Sequence, residues 1–101
     1  MNDVNNPEIN SIISQRPVKL TKDLASRLNR VEGQVRAIKT MIEKDVYCDD
    51  ILTQIASVQS AINSVSKLLL ESHLRGCVVS RLQSGDDEVI EEFVKTVGRL
   101  L

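Results

Sequence analysis

Apolar residues step along this chain by alternating fours and threes, and no proline interrupts them after Pro17. Leu24, Leu28, Val31, Val35, Ile38 and Ile42 mark one such seam, and Ile51, Ile55, Val58, Ile62, Val65 and Leu69 mark a second. This spacing places one narrow apolar stripe on a helix, and a strand would put its neighbours on opposite faces. A third amphipathic stretch carries Val89, Ile90, Phe93, Val94, Val97 and Leu101 inward. Aromatics make up only 2% of the 101 residues, so the core must be assembled from Leu, Ile and Val packed along helical seams. The four glycines and two prolines are too few for the turns of an all-β protein. The expected fold is all-α.

The punctuation of the chain implies three helices. Residues 1–19 hold both prolines and several Asn and Ser without a sustained apolar period, and are read as a flexible N-terminal arm preceding one helical domain, 20–101. Thr21 is the expected N-cap of the first helix, with Asp23 in its first turn. Gly33 interrupts that helix and suggests close helix approach. A short break is expected between Glu43 and Cys48, and the second helix should then run to a stop at Ser84-Gly85, with Gly76 its weakest point. The last helix begins near Asp86 with acids in its first turn. No segment has the length and apolarity of a membrane helix, and the first residues lack the pattern of a signal peptide, so a cytoplasmic protein with no membrane partner is expected.

Stepping the second seam forward from Leu69 by fours reaches His73 and then Cys77; stepping back three from Ile51 reaches Cys48. His73 and Cys77 are one turn apart, close enough to share an ion. Cys48 lies 25 residues before His73, about 37 Å along a continuous helix, and cannot reach it within one chain. Antiparallel packing of two copies would bring Cys48 of one chain to His73 and Cys77 of the other, giving two equal sites per twofold dimer. Two thiolates and an imidazole are a soft donor set suited to Cu(I), and to Zn(II) only with a fourth ligand. The chain has no second histidine. The bland alternative is a satisfied histidine beside an inert buried cysteine, and spacing alone leaves both open.

Net charge is −1, yet its distribution is polar: residues 16–39 carry seven basic side chains against Asp23 and Glu32, whereas residues 86–101 carry five acids against Lys95 and Arg99. Arg27 and Arg30 flank one edge of the first seam, and Arg36 and Lys39 the other. An ordinary solvated face reads the same way. No helix-turn-helix, zinc-finger spacing or aromatic platform accompanies it.

The segments RLNRVEGQVR at 27–36, YCDDILTQI at 47–55 and HLRGC at 73–77 closely resemble the CsoR-type copper-sensing repressors, in the wider family that includes the nickel/cobalt sensor RcnR and the formaldehyde sensor FrmR. The resemblance covers residues 21–101. It implies a three-helix subunit, an antiparallel four-helix-bundle dimer and a dimer-of-dimers tetramer that binds double-stranded operator DNA when metal-free. Cu(I) bound by Cys48, His73 and Cys77 would then release the DNA and derepress copper-efflux genes. The same resemblance implies that Tyr47 and Glu92 couple the metal site to the helices, with Glu92 displaced by a loop one residue shorter than in relatives. It assigns Arg27 to DNA. Asn63 stands where relatives often carry a basic residue, and Lys67, one turn later, is the expected substitute. Nickel/cobalt members have a histidine in place of Cys77, and persulfide sensors lack the histidine, so the full trio favours copper. A persulfide- or redox-sensing repressor of the same fold, or a copper buffer without DNA, are the alternatives. Catalysis is not expected, because a packed seam offers neither a substrate pocket nor an oxyanion hole.

Overall fold

The computed structural model describes residues 16–101; the expected arm lies outside the described residues up to position 15. Helix α1 spans Val18–Glu43 and α2 spans Cys48–His73. A π-helical turn, Leu74–Val78, continues without a break and leads into the short helix α3, Val79–Gln83; α4 spans Glu88–Leu100. No strand occurs among the described residues. Residues Lys19–Lys67 form one compact unit and Leu68–Leu101 a second.

The start of α1 departs from expectation. Pro17 supplies a fixed φ suited to the edge of a helix, so the first turn begins at Val18, before Thr21, and contains no acid. Residues 18 and 19 are thus helical, where the sequence suggested an arm. Gly33 is the second correction. A Cβ built there meets nothing within 4 Å, so within the chain this glycine serves no close helix approach.

The break after α1 closes as a Schellman motif. The Val46 N–H donates to the Met41 carbonyl at 3.0 Å and the Asp45 N–H to the Ile42 carbonyl at 3.2 Å. Asp45 occupies the left-handed position, φ 55°, that glycine usually fills. Asp45→Gly is therefore expected to stabilise the fold by about 0.5 kcal/mol, checked by urea unfolding of the metal-free protein. Glycine does fill the equivalent position after α3. There the Asp86 N–H donates to the Arg81 carbonyl at 2.9 Å and Gly85 has φ 89°, so the stop expected at Ser84-Gly85 is found.

In the Lys19–Lys67 unit the buried apolar residues are Leu24, Val31 and Val65, all on the expected seams. A further link joins α1 to α2, because the Arg27 Nη1 donates to the Ser64 hydroxyl at 3.3 Å. In the Leu68–Leu101 unit the core is Cys77, Val78 and Val89, the last fully buried. Much of each seam stays exposed in the single chain: Leu28, Val35, Ile42, Ile62, Leu69, Ile90 and Val94 all do. Surface of this kind, repeated along helices, is what a partner covers.

Candidate metal centre

Cys48 is the first residue of α2, and His73 is the last. The chain turns into α2 on the Tyr47 carbonyl, which accepts from the N–H groups of Asp50 at 3.0 Å and Ile51 at 3.3 Å. Asp49 and Asp50 then lie in the first turn, where the helix dipole favours them. Cys48 is exposed, as is the neighbouring Tyr47 side chain at 73%. Cys77 is buried, at 6%, and neither cysteine forms a disulfide.

The expected i, i+4 pairing of His73 with Cys77 crosses a register change. Leu74–Val78 is a π-helical turn, whose i→i+5 hydrogen bonds accommodate one extra residue and so rotate the succeeding residues by about 100° relative to an uninterrupted α-helix. Cys77 and Val78 are both buried, while Leu74 and Val79 are exposed. Helical turns of this type are found frequently at functional sites. The weak point assigned to Gly76 falls within it.

Two contacts hold His73 and its surroundings. The His73 ring stacks on Phe93 of α4, with centroids 6.2 Å apart and planes inclined by 26°. The Arg81 side chain on α3 makes a fork: Nε donates to Asp86 Oδ2 at 2.8 Å, with Nη2 in an ion pair 2.8 Å from the same oxygen, and Nη1 donates to both Glu92 carboxylate oxygens at 3.2 and 3.1 Å. The hydrogen bonds to Asp86, then Glu92, hold the guanidinium charge above its already high ordinary range. Glu92, expected to couple to His73, is thus held by Arg81 in this chain. Nothing in the spacing signalled the fork; the signal for Phe93 was that it is the one phenylalanine, on the inward face of its helix.

Among the described residues, no group of three or more His, Cys, Asp or Glu side chains is gathered to hold an ion. Two of the three sequence-derived donors, His73 and Cys77, lie in succession on a single helical path, and Cys48 stands at the other end of α2. Two thiols and an imidazole are donor types that fit a soft ion.

The basic residues divide into two groups. Arg27 pairs with Asp23 at 3.0 Å, in addition to its bond to Ser64, so part of its role is to join α1 to α2. Arg30, Arg36, Lys39 and Lys67 are exposed, and none has an ion pair with a described residue.

Residues 20–99 match the family described as metal-sensitive transcriptional repressor. The chain belongs to this family. Its members repress transcription and are not enzymes. The copper-sensing transcriptional repressor CsoR of Bacillus subtilis is 45% identical over 76 residues, covering 75% of each chain. The copper-sensing transcriptional repressor RicR of Mycobacterium tuberculosis is 48% identical over 80 residues, 76% of this chain and 83% of that one. Among solved structures, the copper-sensing repressor CsoR with Cu(I) from Geobacillus thermodenitrificans aligns with a TM-score of 0.78 at 35% identity, covering 83% of this chain and 88% of that one. The nickel-responsive transcriptional regulator InrS aligns with a TM-score of 0.69 at 30% identity, covering 86% and 96%. The all-α fold is therefore that of a metal-sensitive repressor. One fold serves relatives named for two different metals, so the donor atoms must decide between them. No described helix is long and apolar enough to cross a membrane.

Proposed function

We propose that this chain is a Cu(I)-responsive repressor that binds operator DNA when metal-free and releases it on Cu(I) binding, derepressing copper-efflux or resistance genes. The donor set carries the reading: two thiols and the chain's single imidazole are soft ligands in the number that Cu(I) accepts. A nickel site would recruit more nitrogen or oxygen donors, and the chain has no second histidine to give. The names of the relatives above support the same choice.

Cys48 of one subunit would ligate together with His73 and Cys77 of the partner subunit. Bound Cu(I) supplies a bond that links two helix ends from different chains. The thiols must lose their protons to ligate, and burial of Cys77 keeps that sulfur away from bulk solvent. Tyr47, next to Cys48, and Glu92, next to Phe93, are the proposed couplings from the site to α2 and α4. The exposed seams on α1 and α2 support a dimer, and a dimer-of-dimers tetramer acting in the cytoplasm extends the same reading. Residues 1–19 remain the proposed arm, with its last two residues helical in the single chain.

Arg30, Arg36, Lys39 and Lys67, together with Arg27, are the proposed contacts to double-stranded DNA. Arg30→Ala or Lys39→Ala is expected to weaken operator binding across sequences and to flatten the dependence of log affinity on log salt by about one unit for each phosphate no longer neutralised. Binding isotherms at several salt concentrations check this. Arg27→Ala should also lower stability, because it removes the ties to Asp23 and Ser64.

A DNA-binding titration with and without Cu(I) tests the whole reading. Affinity should fall on addition of one equivalent per chain; affinity unchanged at saturating Cu(I) would refute it. Replacing His73 by Ala should remove the response, whereas a persulfide sensor would keep it.

A further inference from the structure

We infer that Phe93 is a positioning residue for His73, and that the Arg81 fork sets Phe93 in place. The inference rests on the reading of His73 as a metal ligand, but its structural half can be judged without metal.

An imidazole binds a metal through a ring nitrogen, along a bond lying in the plane of the ring, so whatever fixes the plane fixes the direction of the bond. Phe93 lies against the face of the His73 ring at 6.2 Å and 26°, within the range of an offset stack. A stack of this kind restrains the plane and leaves the edge nitrogens open. Groups that orient a ligating histidine usually do so by a hydrogen bond from its second nitrogen; among the described residues the restraint on His73 is a ring face.

Phe93 depends in turn on how α4 is set. Arg81 reaches from α3 to Asp86 in the connecting turn and to Glu92 on α4, one residue before Phe93. One planar guanidinium thus engages two carboxylates, with Nε on Asp86 and Nη1 on both oxygens of Glu92, and its fixed donor directions set the two carboxylates relative to each other. Glu92 and Phe93 are consecutive on α4, so fixing the Glu92 carboxylate against Arg81 fixes the rotation of α4 that presents the Phe93 ring to His73. The buried Val89, one turn earlier, anchors the same helix.

The composition makes the test unambiguous, because the chain has one histidine and one phenylalanine. The His73 ring-proton resonances are recorded for the metal-free full chain, and Cu(I) affinity is measured by competition with a chromophoric chelator. Phe93→Leu keeps an apolar side chain and removes the ring. It should move the His73 resonances toward those of free imidazole and weaken Cu(I) binding about three- to tenfold, the factor that matches the worth of an aromatic pair. Phe93→Tyr keeps the ring and should restore both. Arg81→Gln should shift the resonances in the same direction as Phe93→Leu. Resonances unmoved in Phe93→Leu, or moved without a change in affinity, would overturn the inference, as would a Phe93→Tyr chain that behaves like Phe93→Leu. A wild-type chain that takes up no Cu(I) would instead sink the metal reading, while the resonances would still decide whether Phe93 orients the imidazole.

Discussion

Cys48→Ala is expected to abolish the Cu(I)-dependent release of DNA while leaving the metal-free protein folded and able to bind its operator. Cys48 is exposed at the first position of α2 and forms no disulfide, so its side chain contributes little to the single-chain core. Exposed substitutions away from caps, cores and ion pairs change stability by no more than about 0.5 kcal/mol. What the substitution removes is one of three donors, and two donors hold a soft ion far less tightly than three. Cys77→Ala should also abolish the response, yet with a measurable loss of stability, because Cys77 belongs to the small core of Cys77, Val78 and Val89. Thermal unfolding and DNA titration of the two variants separate these effects. A Cys48→Ala chain that still releases DNA on Cu(I) addition would remove Cys48 from the site.

Ile62→Glu should take the oligomer apart. Ile62 sits in the middle of the α2 seam and remains 40% exposed in the single chain, with Leu69 two turns on at 38%. In the isolated chain a charge at Ile62 costs little. Across a twofold interface the same residue counts twice, and losing even about 1.5 kcal/mol of apolar burial from each copy weakens the dimer about a hundredfold. Burying the two carboxylates adds to that. Sedimentation should show smaller species, and Cu(I) uptake should fall in parallel although all three donors are intact. A dimer of unchanged affinity would place the seam away from the interface.

The seams were legible because periodicity reports which face of a helix is covered, and Leu24, Val31, Val65, Cys77 and Val89 all lie where the spacing put them. The stop at Gly85 was legible because only glycine takes φ 89° without cost. The break expected between Glu43 and Cys48 is found, but that Asp45 takes its left-handed position was not legible, since an aspartate carries no such signature. The π-turn at Leu74–Val78 was not legible either: it is a choice between hydrogen-bond partners one residue apart, and Gly76 alone does not specify it. Nor could spacing show that Arg81 engages both Asp86 and Glu92, because that pairing depends on how the chain turns between α3 and α4. That Gly33 meets no neighbouring helix within the chain was not legible, since an open glycine and a packed glycine look alike in a sequence.

Of the candidate site, the sequence offered three donors and the expectation that Cys48 does not join the other two within one chain. His73 and Cys77 share a helical path in the structure, and Cys48 starts the helix that His73 ends. The stack of Phe93 on His73 lay beyond reach, because it joins residues of different helices whose meeting depends on the turn at Gly85.

Mixing two defective chains tests the intersubunit site most directly. Cys48→Ala and Cys77→Ala chains, each unable to hold Cu(I) at a complete site, are refolded together in equal amounts. If Cys48 of one subunit works with His73 and Cys77 of the other, each mixed dimer regains one intact site, and random pairing gives about one tightly bound ion per four chains. If the three donors belonged to one chain, the mixture would bind no more Cu(I) than either variant alone.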